Sequence, residues 1–369
     1  MIIGSVKEVK KYENRVGLTP DNCSEYIRHG HNVIVQSNLG IGSGFSDEQY
    51  LSAGASVVSE REEVWAKGDM IIKVKEPMKE EYPLLKKDQI IFTYLHLAAN
   101  KPLASAMLKS KCIGVAYETL TDSYGNLPLL RPMSEIAGRL SIIEGAKCLE
   151  KLSGGKGKLI SGVPGVRKAK VVILGGGVAG TNAIQMAIGL GADVTVLDID
   201  IARMSNLDLI FGGRINTIYS TKSSIEREIS DADLIIGAVL IPGAKTPKLI
   251  MHNQLRLMQK GTVLVDIAID QGGCFETSHP TYHDDPTFTV EGIVHYCVAN
   301  IPGAVPMTST LALTNATLKY GLKIADSGLE LAAKDDPGIF SAINIYKGYC
   351  TQQNAAEALE LQFKPLRID

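Results

Sequence analysis

The sequence predicts an α/β protein: two Rossmann-like doubly wound parallel-sheet domains joined by long helices, with a cleft between them. Three observations carry this expectation. The chain has 369 residues, 45% of them hydrophobic, which is long for a single core. Short β-branched runs alternate with helical stretches twice along it, the pattern of parallel strands covered by helices. A glycine-rich strand-to-helix turn opens the second alternation.

The first alternation runs through "HNVIVQS", "ASVV", "DMIIKV", "QIIFTYL" and "CIGVAYE", separated by segments such as "SDEQYLSAG" and "KPLASAMLKSK". Between Pro132 and Leu152 apolar residues fall at helical spacing over a length that suits a connecting helix, and "SGGKGKLISGVPGV" then reads as a loop. The second alternation comprises "KVVILG", "DVTVLD", "INTIYS", "DLIIGAVL", "TVLVDIAI" and "VHYCVAN". After Thr308 the pattern is helical, with no strand expected to follow; a tail of this kind packs back on the first domain.

The 38 basic and 40 acidic residues give a net charge of -2 without a block of either sign, so neither nucleic acid nor an anionic membrane is indicated as a partner. No charged-then-apolar leader opens the chain, and no apolar run approaches the roughly 18 residues that cross a bilayer. A cytoplasmic location is expected. The six cysteines lack a Cys-x-x-Cys pair and read as reduced thiols filling the core. His29 with His31, and His279 with His283, lack a completing ligand set, so no metal is expected.

In "KVVILGGGVAGTNAIQMAIGLGADVTVLD", Gly175, Gly177 and Gly180 form G-x-G-x-x-G directly after a strand, and Asp198 ends the next strand. This is the dinucleotide fingerprint. The first glycine permits the tight turn, the second lets the backbone approach a pyrophosphate, and the third allows close helix-strand packing. The helix N-terminus presents unpaired N–H groups to phosphate. Asp198 would accept from ribose hydroxyls and repel a 2′-phosphate, which favours NAD over NADP. The competing reading is a plain tight turn with Asp198 capping a helix from Ile199; Arg203 would either stack on adenine or solvate the surface.

Outside the fingerprint, Asp270 ends the strand "TVLVDIAID", where open α/β sheets gather ligands; it also reads as a turn residue before Gly272 and Gly273. His96, after "IIFTYL", either exchanges protons near neutral pH or caps and fills. Arg15, in "YENRVGLTP", has a planar guanidinium suited to a carboxylate but equally suits a surface loop. Lys73 and Lys75 in "DMIIKVKEP" fall on one face of an alternating strand. Lys75 lies nearer the carboxyl end; Lys73 reads as solvated or ion-paired.

The stretches "ENRVGLTP", "VKEP", "YLHLAA", "PLLRPMSEIAGR", "GGGVAGTNA", "AVLIPGAKTP", "VDIAIDQGG" and "VANIPGAVPMTSTLALTN" run in order over nearly the whole chain and resemble the alanine dehydrogenase family. "VDIAIDQGG" and "NIPGAVP" are shared with its relative, the NAD-binding component of transhydrogenase. The resemblance implies a discontinuous substrate domain, residues 1–128 and 307–369, and an NAD-binding Rossmann domain, 129–306, assembled as a homohexamer. It implies reversible, NAD-dependent oxidative deamination of L-alanine to pyruvate and ammonium. Arg15, Lys75, Met133 and Asn300 would then meet substrate, with His96 and Asp270 as the acid/base pair. Ser134, Val178 and Ala179 would join the three glycines at the phosphates, with Asp198, Arg203 and Ser220 at the adenosine end. Val239, Leu240, Ile267, Ala268, Ile269, Asp270, Val298, Ala299, Asn300 and Ile301 would line the rest. The chain departs from the family pattern at Arg167, Lys168 and Ile301, which bears on affinity and rate. A transhydrogenase-like component and a silent nucleotide-binding paralogue are the alternatives; the intact "ENRV", "VKEP" and "YLHLAA" count against the first, and the retention of all four polar positions, Arg15, Lys75, His96 and Asp270, against the second.

Overall fold

The computed structural model describes residues 1–239 and 246–368. By contacts the chain divides into two compact units, Met1–Met133 with Val305–Asp369, and Ser134–Ala304.

In the first unit β1 (Ile2–Ser5), β2 (Asn32–Gln36), β3 (Ser56–Val58), β4 (Met70–Ile72), β5 (Ile90–Thr93) and β6 (Ile113–Ala116) pair in parallel, in the order β3-β2-β1-β4-β5-β6. The order reverses between β1 and β4, the doubly wound arrangement. The helices α1 (Pro20–Arg28), α2 (Asp47–Ser52), α3 (Arg61–Lys67) and α4 (Lys101–Ser110) connect the strands. Thr19 and Asn100 cap α1 and α4 through side-chain oxygens, with proline in the first turn of each, where a missing N–H costs nothing. Trp65, Ile71, Ile91, Leu95, Leu103 and Met107 belong to the core of this unit.

The helix α5 (Arg131–Cys148) contains the point at which the chain leaves the first unit. In the second unit β7 (Lys170–Leu174), β8 (Asp193–Asp198), β9 (Ile215–Tyr219), β10 (Leu234–Gly237), β11 (Val263–Asp266), β12 (Thr287–Val290) and β13 (Ile293–Tyr296) form one sheet, in the order β12-β13-β11-β10-β7-β8-β9. Apart from the antiparallel edge strand β12, its order β9-β8-β7-β10-β11-β13 repeats that of the first unit. The intervening helices include α6 (Val178–Gly189), α7 (Ile201–Phe211) and α8 (Lys222–Ile229), and the core includes Val172, Leu197, Ile235, Leu264 and Phe275.

The chain then continues as α9 (Pro306–Ser327), α10 (Leu329–Asp335) and α11 (Pro337–Ala342) in the first unit. The expectation of an all-helical tail is corrected here. β14 (Ile343–Tyr346) and β15 (Tyr349–Cys350) add an antiparallel edge to β6, before α12 (Gln353–Leu359). So short an apolar run carries no decisive periodicity. The hairpin does have a local signal: Lys347 and Gly348 both take positive φ, 47° and 97°, as a two-residue turn of the right-handed-twist type requires. Glu291 and Gly292 make the same turn between β12 and β13.

A second correction concerns the length of the strand in "DMIIKVKEP": β4 stops at Ile72. Of the two readings for Lys73, the ion-paired one holds, for the side chain is completely buried. Its ammonium lies 3.0 Å from both Glu8 Oε2 and Glu81 Oε1. His29 and His31 both bond the carboxylate of Asp326 from α9, at 2.9 and 2.7 Å. All six cysteines are free and buried. Among the described residues no helix is long and apolar enough to cross a membrane.

Candidate active site

In the first unit Arg15, Lys75 and His96 stand in the segments that follow β1, β4 and β5, three adjacent strands, beyond their carboxyl ends. Arg15 is 2% exposed. Glu13 grips its fork, accepting from Nε at 2.7 Å and from Nη2 at 2.5 Å, while Nη1 donates to the Met133 sulfur at 3.0 Å. Burial disfavours both charges, but each holds the other ionised: the Glu13 carboxyl lies below its ordinary range and Arg15 above its own. Lys75 is also buried, and its charge lowers the pKa of both Glu13 and Glu76. In Glu76 the cost of burial is outweighed by Lys10, 2.8 Å away, then by His96 and Lys75.

His96 is exposed and sits in the left-handed region, φ 45°, a conformation that costs a non-glycine residue energy and clusters at functional sites. Two contacts hold it. Its backbone N–H and that of Leu95 donate to Glu118, and its ring stacks on Tyr94 with centroids 5.9 Å apart. Tyr94 is itself fixed by donating to Leu129 O at 2.6 Å, and burial raises its phenol pKa far out of the neutral range.

In the second unit the fingerprint has the geometry its glycines predict. Gly175 takes φ 99°, and a Cβ on Gly180 would stand 1.8 Å from Gly175 O, so only hydrogen fits there. Gly177 caps α6 without a side-chain bond, and a Cβ on it would meet nothing within 4 Å. The helix end therefore has no side-chain cap and, among the described residues, room beside Gly177, as a phosphate-binding turn requires. Gly138 of α5 lies against this turn, where a Cβ would stand 2.1 Å from Ala179 O, and Arg139 bonds Asn182 and Gln185. Ser134 is one turn N-terminal of Gly138 on the same face of α5.

Asp198 ends β8 and is 5% exposed; it accepts from Gly176 N at 2.7 Å, Asp200 N at 2.9 Å and Arg203 Nη1 at 3.2 Å. Those bonds outweigh burial and lower its pKa. The cap of α7 is Asp200, which accepts from Arg203 N, so the alternative role for Asp198 is not the one it fills. Ser220 follows β9 and donates its N–H to Asp198 O. Val239 follows β10 and packs on Gly175; Leu240, in the "AVLIPGAKTP" stretch, lies outside the described residues.

Asp270 is exposed on a 3₁₀ turn, Ile269–Gln271, beyond β11, whereas Asp266 is wholly buried. Asp266 accepts from Ala268 N, Cys274 N, Phe275 N and Ser278 Oγ, fixing the Ile267–Asp270 segment. Burial still raises its pKa. Val298, Ala299, Asn300 and Ile301 follow β13; Asn300 has φ 66° and its carbonyl accepts from His283 at 3.3 Å. The sequence reading missed the buried carboxylates Glu8, Glu13 and Glu81 and the half-buried Glu118 that hold these loops. Glu13 stands within "ENRV" two residues from its partner Arg15, but nothing in the motif shows that the pair folds inward.

Fold and site together define a two-unit α/β protein with a dinucleotide-binding turn in one unit and a buried arginine paired with Glu13 in the other. Models of the N-terminal and C-terminal domains described as "Alanine dehydrogenase/PNT" match residues 4–137 and 141–353, and the chain belongs to this family. It is 52% identical over 365 residues to "Alanine dehydrogenase 2" of Staphylococcus aureus strain USA300, covering 99% of this chain and 98% of the relative. A solved structure titled "L-alanine dehydrogenase" has a TM-score of 0.94 and 47% identity, covering 98% of this chain and 99% of that one. The transhydrogenase from Sinorhizobium meliloti, at 22% identity over 95% of this chain and 99% of its own, with a TM-score of 0.80, shares the fold.

Proposed function

We propose that this chain is an NAD-dependent amino-acid dehydrogenase that interconverts L-alanine with pyruvate and ammonium. The supporting observation is the cationic pair Arg15 and Lys75, both buried and both bearing on Glu13, beside an exposed His96. Glu13 occupies Nε and Nη2 of Arg15, so a substrate carboxylate approaches through Nη1, displacing the Met133 sulfur. A thioether is a weak acceptor and a carboxylate a strong one, so that exchange is favourable. Orientation of the substrate by Arg15 aligns its Cα–H bond for transfer.

NAD, held by the glycine turn, Ser134, Asp198 and the segments beyond β10, β11 and β13, supplies the hydride chemistry. Asp270 stabilises the iminium cation of the substrate and orients the attacking water. His96 moves the proton at the carbinolamine oxygen, and Lys75 donates a hydrogen bond to the developing carbonyl oxygen. The same reading places the chain in the cytoplasm as a homohexamer. Six buried free thiols suit a reducing compartment, and Leu152, Leu159, Val163 and Val166 are exposed apolar side chains of the kind that association covers.

The test is a substrate panel with purified protein, NAD and NADP in both directions. Alanine-dependent NADH formation without any added partner is expected. NADH binding with no turnover of any small amino acid would instead support a silent paralogue.

A further inference from the structure

Lys75 lies just past the end of β4, where the neighbouring chain after β5 still holds the carbonyls: Tyr94 N donates to Val74 O at 3.4 Å and Thr93 Oγ1 to Lys75 O at 2.9 Å. Lys73 N still donates to Phe92 O, but Val74 N and Lys75 N turn away from β5 and donate to one carboxylate oxygen, Glu8 Oε1, at 2.7 and 3.1 Å. The other oxygen, Glu8 Oε2, lies 3.0 Å from Lys73 Nζ, which reaches Glu81 Oε1 at 3.0 Å. Glu81 Oε2 in turn accepts from Met78 N at 2.8 Å. Two buried carboxylates thus clasp the Val74–Met78 segment through its N–H groups, and the buried Lys73 ammonium joins them. Gly17 packs so closely on the end of β4 that a Cβ there would lie 2.7 Å from Ile72 O. The backbone carrying Lys75 is therefore held at its N–H groups by Glu8 and at its carbonyls by Thr93 and Tyr94, so the N–H side depends on Glu8.

The geometry points to Glu8 as a positioning residue for the reaction: its carboxylate fixes the backbone turn that aims Lys75, and Lys73 is its counter-ion. This rests on the substrate-binding role proposed for Lys75. Glu8 touches no reacting atom in this scheme; it acts through Lys75. Two N–H groups left without their acceptor would let the segment relax, and a displacement of about 1 Å at a positioning group costs about a hundredfold in rate.

A double-mutant cycle separates positioning from general stability. Glu8→Ala and Glu8→Gln are each made alone and with Lys75→Ala, and kcat/KM for pyruvate is measured alongside NADH affinity by fluorescence. Glu8→Ala is expected to lower kcat/KM at least about tenfold when Lys75 is present and less than about twofold when it is absent, with NADH affinity unchanged. Glu8→Gln keeps an oxygen for the two N–H groups and leaves Lys73 paired with Glu81, so it should retain more activity than Glu8→Ala. If Glu8→Ala does not fold, the Glu8→Gln loss is read in the same cycle and must likewise vanish without Lys75. Equal losses in both backgrounds overturn the positioning role alone. Undiminished activity of Lys75→Ala by itself overturns the role of Lys75, and the positioning proposal with it.

Discussion

Arg15 shows how a single side chain can be legible in type and illegible in geometry. Its position in "ENRV" suggests carboxylate binding, yet folding gives most of its fork to Glu13, while Nη1 donates to the sulfur of Met133. The two aspartates of "VDIAID" divide in a similar way. Asp266 is buried and satisfied by four donors, while Asp270 is exposed beyond the strand end. Asp270→Asn is expected to lower kcat by about a hundredfold or more while NADH still binds, and near-normal turnover would contradict its proposed role. Asp198→Gly removes an acceptor and a charge at the ribose end. It should raise the KM for NAD about tenfold or more and weaken discrimination against NADP; an unchanged preference would count against the ribose assignment.

At the scale of elements, loops are anchored by carboxylates that lie far away in sequence. Asp233, just before β10, receives Lys156 at 3.0 Å, Lys158, and the Lys170 N–H that begins β7. Burial would raise its carboxyl, but Lys158, the Lys170 N–H and Lys156 together hold its pKa below the ordinary value. A depressed folded-state pKa contributes stability above the unfolded value of about 3.9 and loses it as pH falls through the folded one. Asp233→Asn should therefore cost about 2–4 kcal/mol at neutral pH, with the deficit narrowing as pH falls below about 4. Chemical denaturation across that range checks it; a deficit constant with pH would contradict the ion-pair origin. Strands are legible in β-branched runs, and those of the two parallel ladders stand out because they are buried and flanked by turn residues. β12 and the β14–β15 hairpin are short antiparallel additions at the sheet ends whose one clear mark is a two-residue turn with glycine second, "EG" or "KG".

For the whole molecule, exposed apolar side chains such as Leu152 and Leu209, 101% and 83% exposed, leave surface that a homohexamer would cover. Light scattering of the purified protein should return about six times the 39.7 kDa chain mass, and a monomer at micromolar concentration would exclude that assembly. The sequence by itself determined the alternation of strands and helices, the glycine turn and the chemical types at Arg15, Lys75, His96 and Asp270. These are local signals, set by periodicity, backbone sterics and spacing within a few dozen residues. Only the tertiary structure decided that Lys73 is a buried counter-ion and Lys75 the residue carried on the clasped turn. Pleat alternation assigns both lysines to one face. Strand polarity favours Lys75, but the partners of Lys73, Glu8 and Glu81, are not legible: Glu8 follows β1, its loop is brought beside the end of β4 by sheet pairing, and no local pattern encodes that pairing.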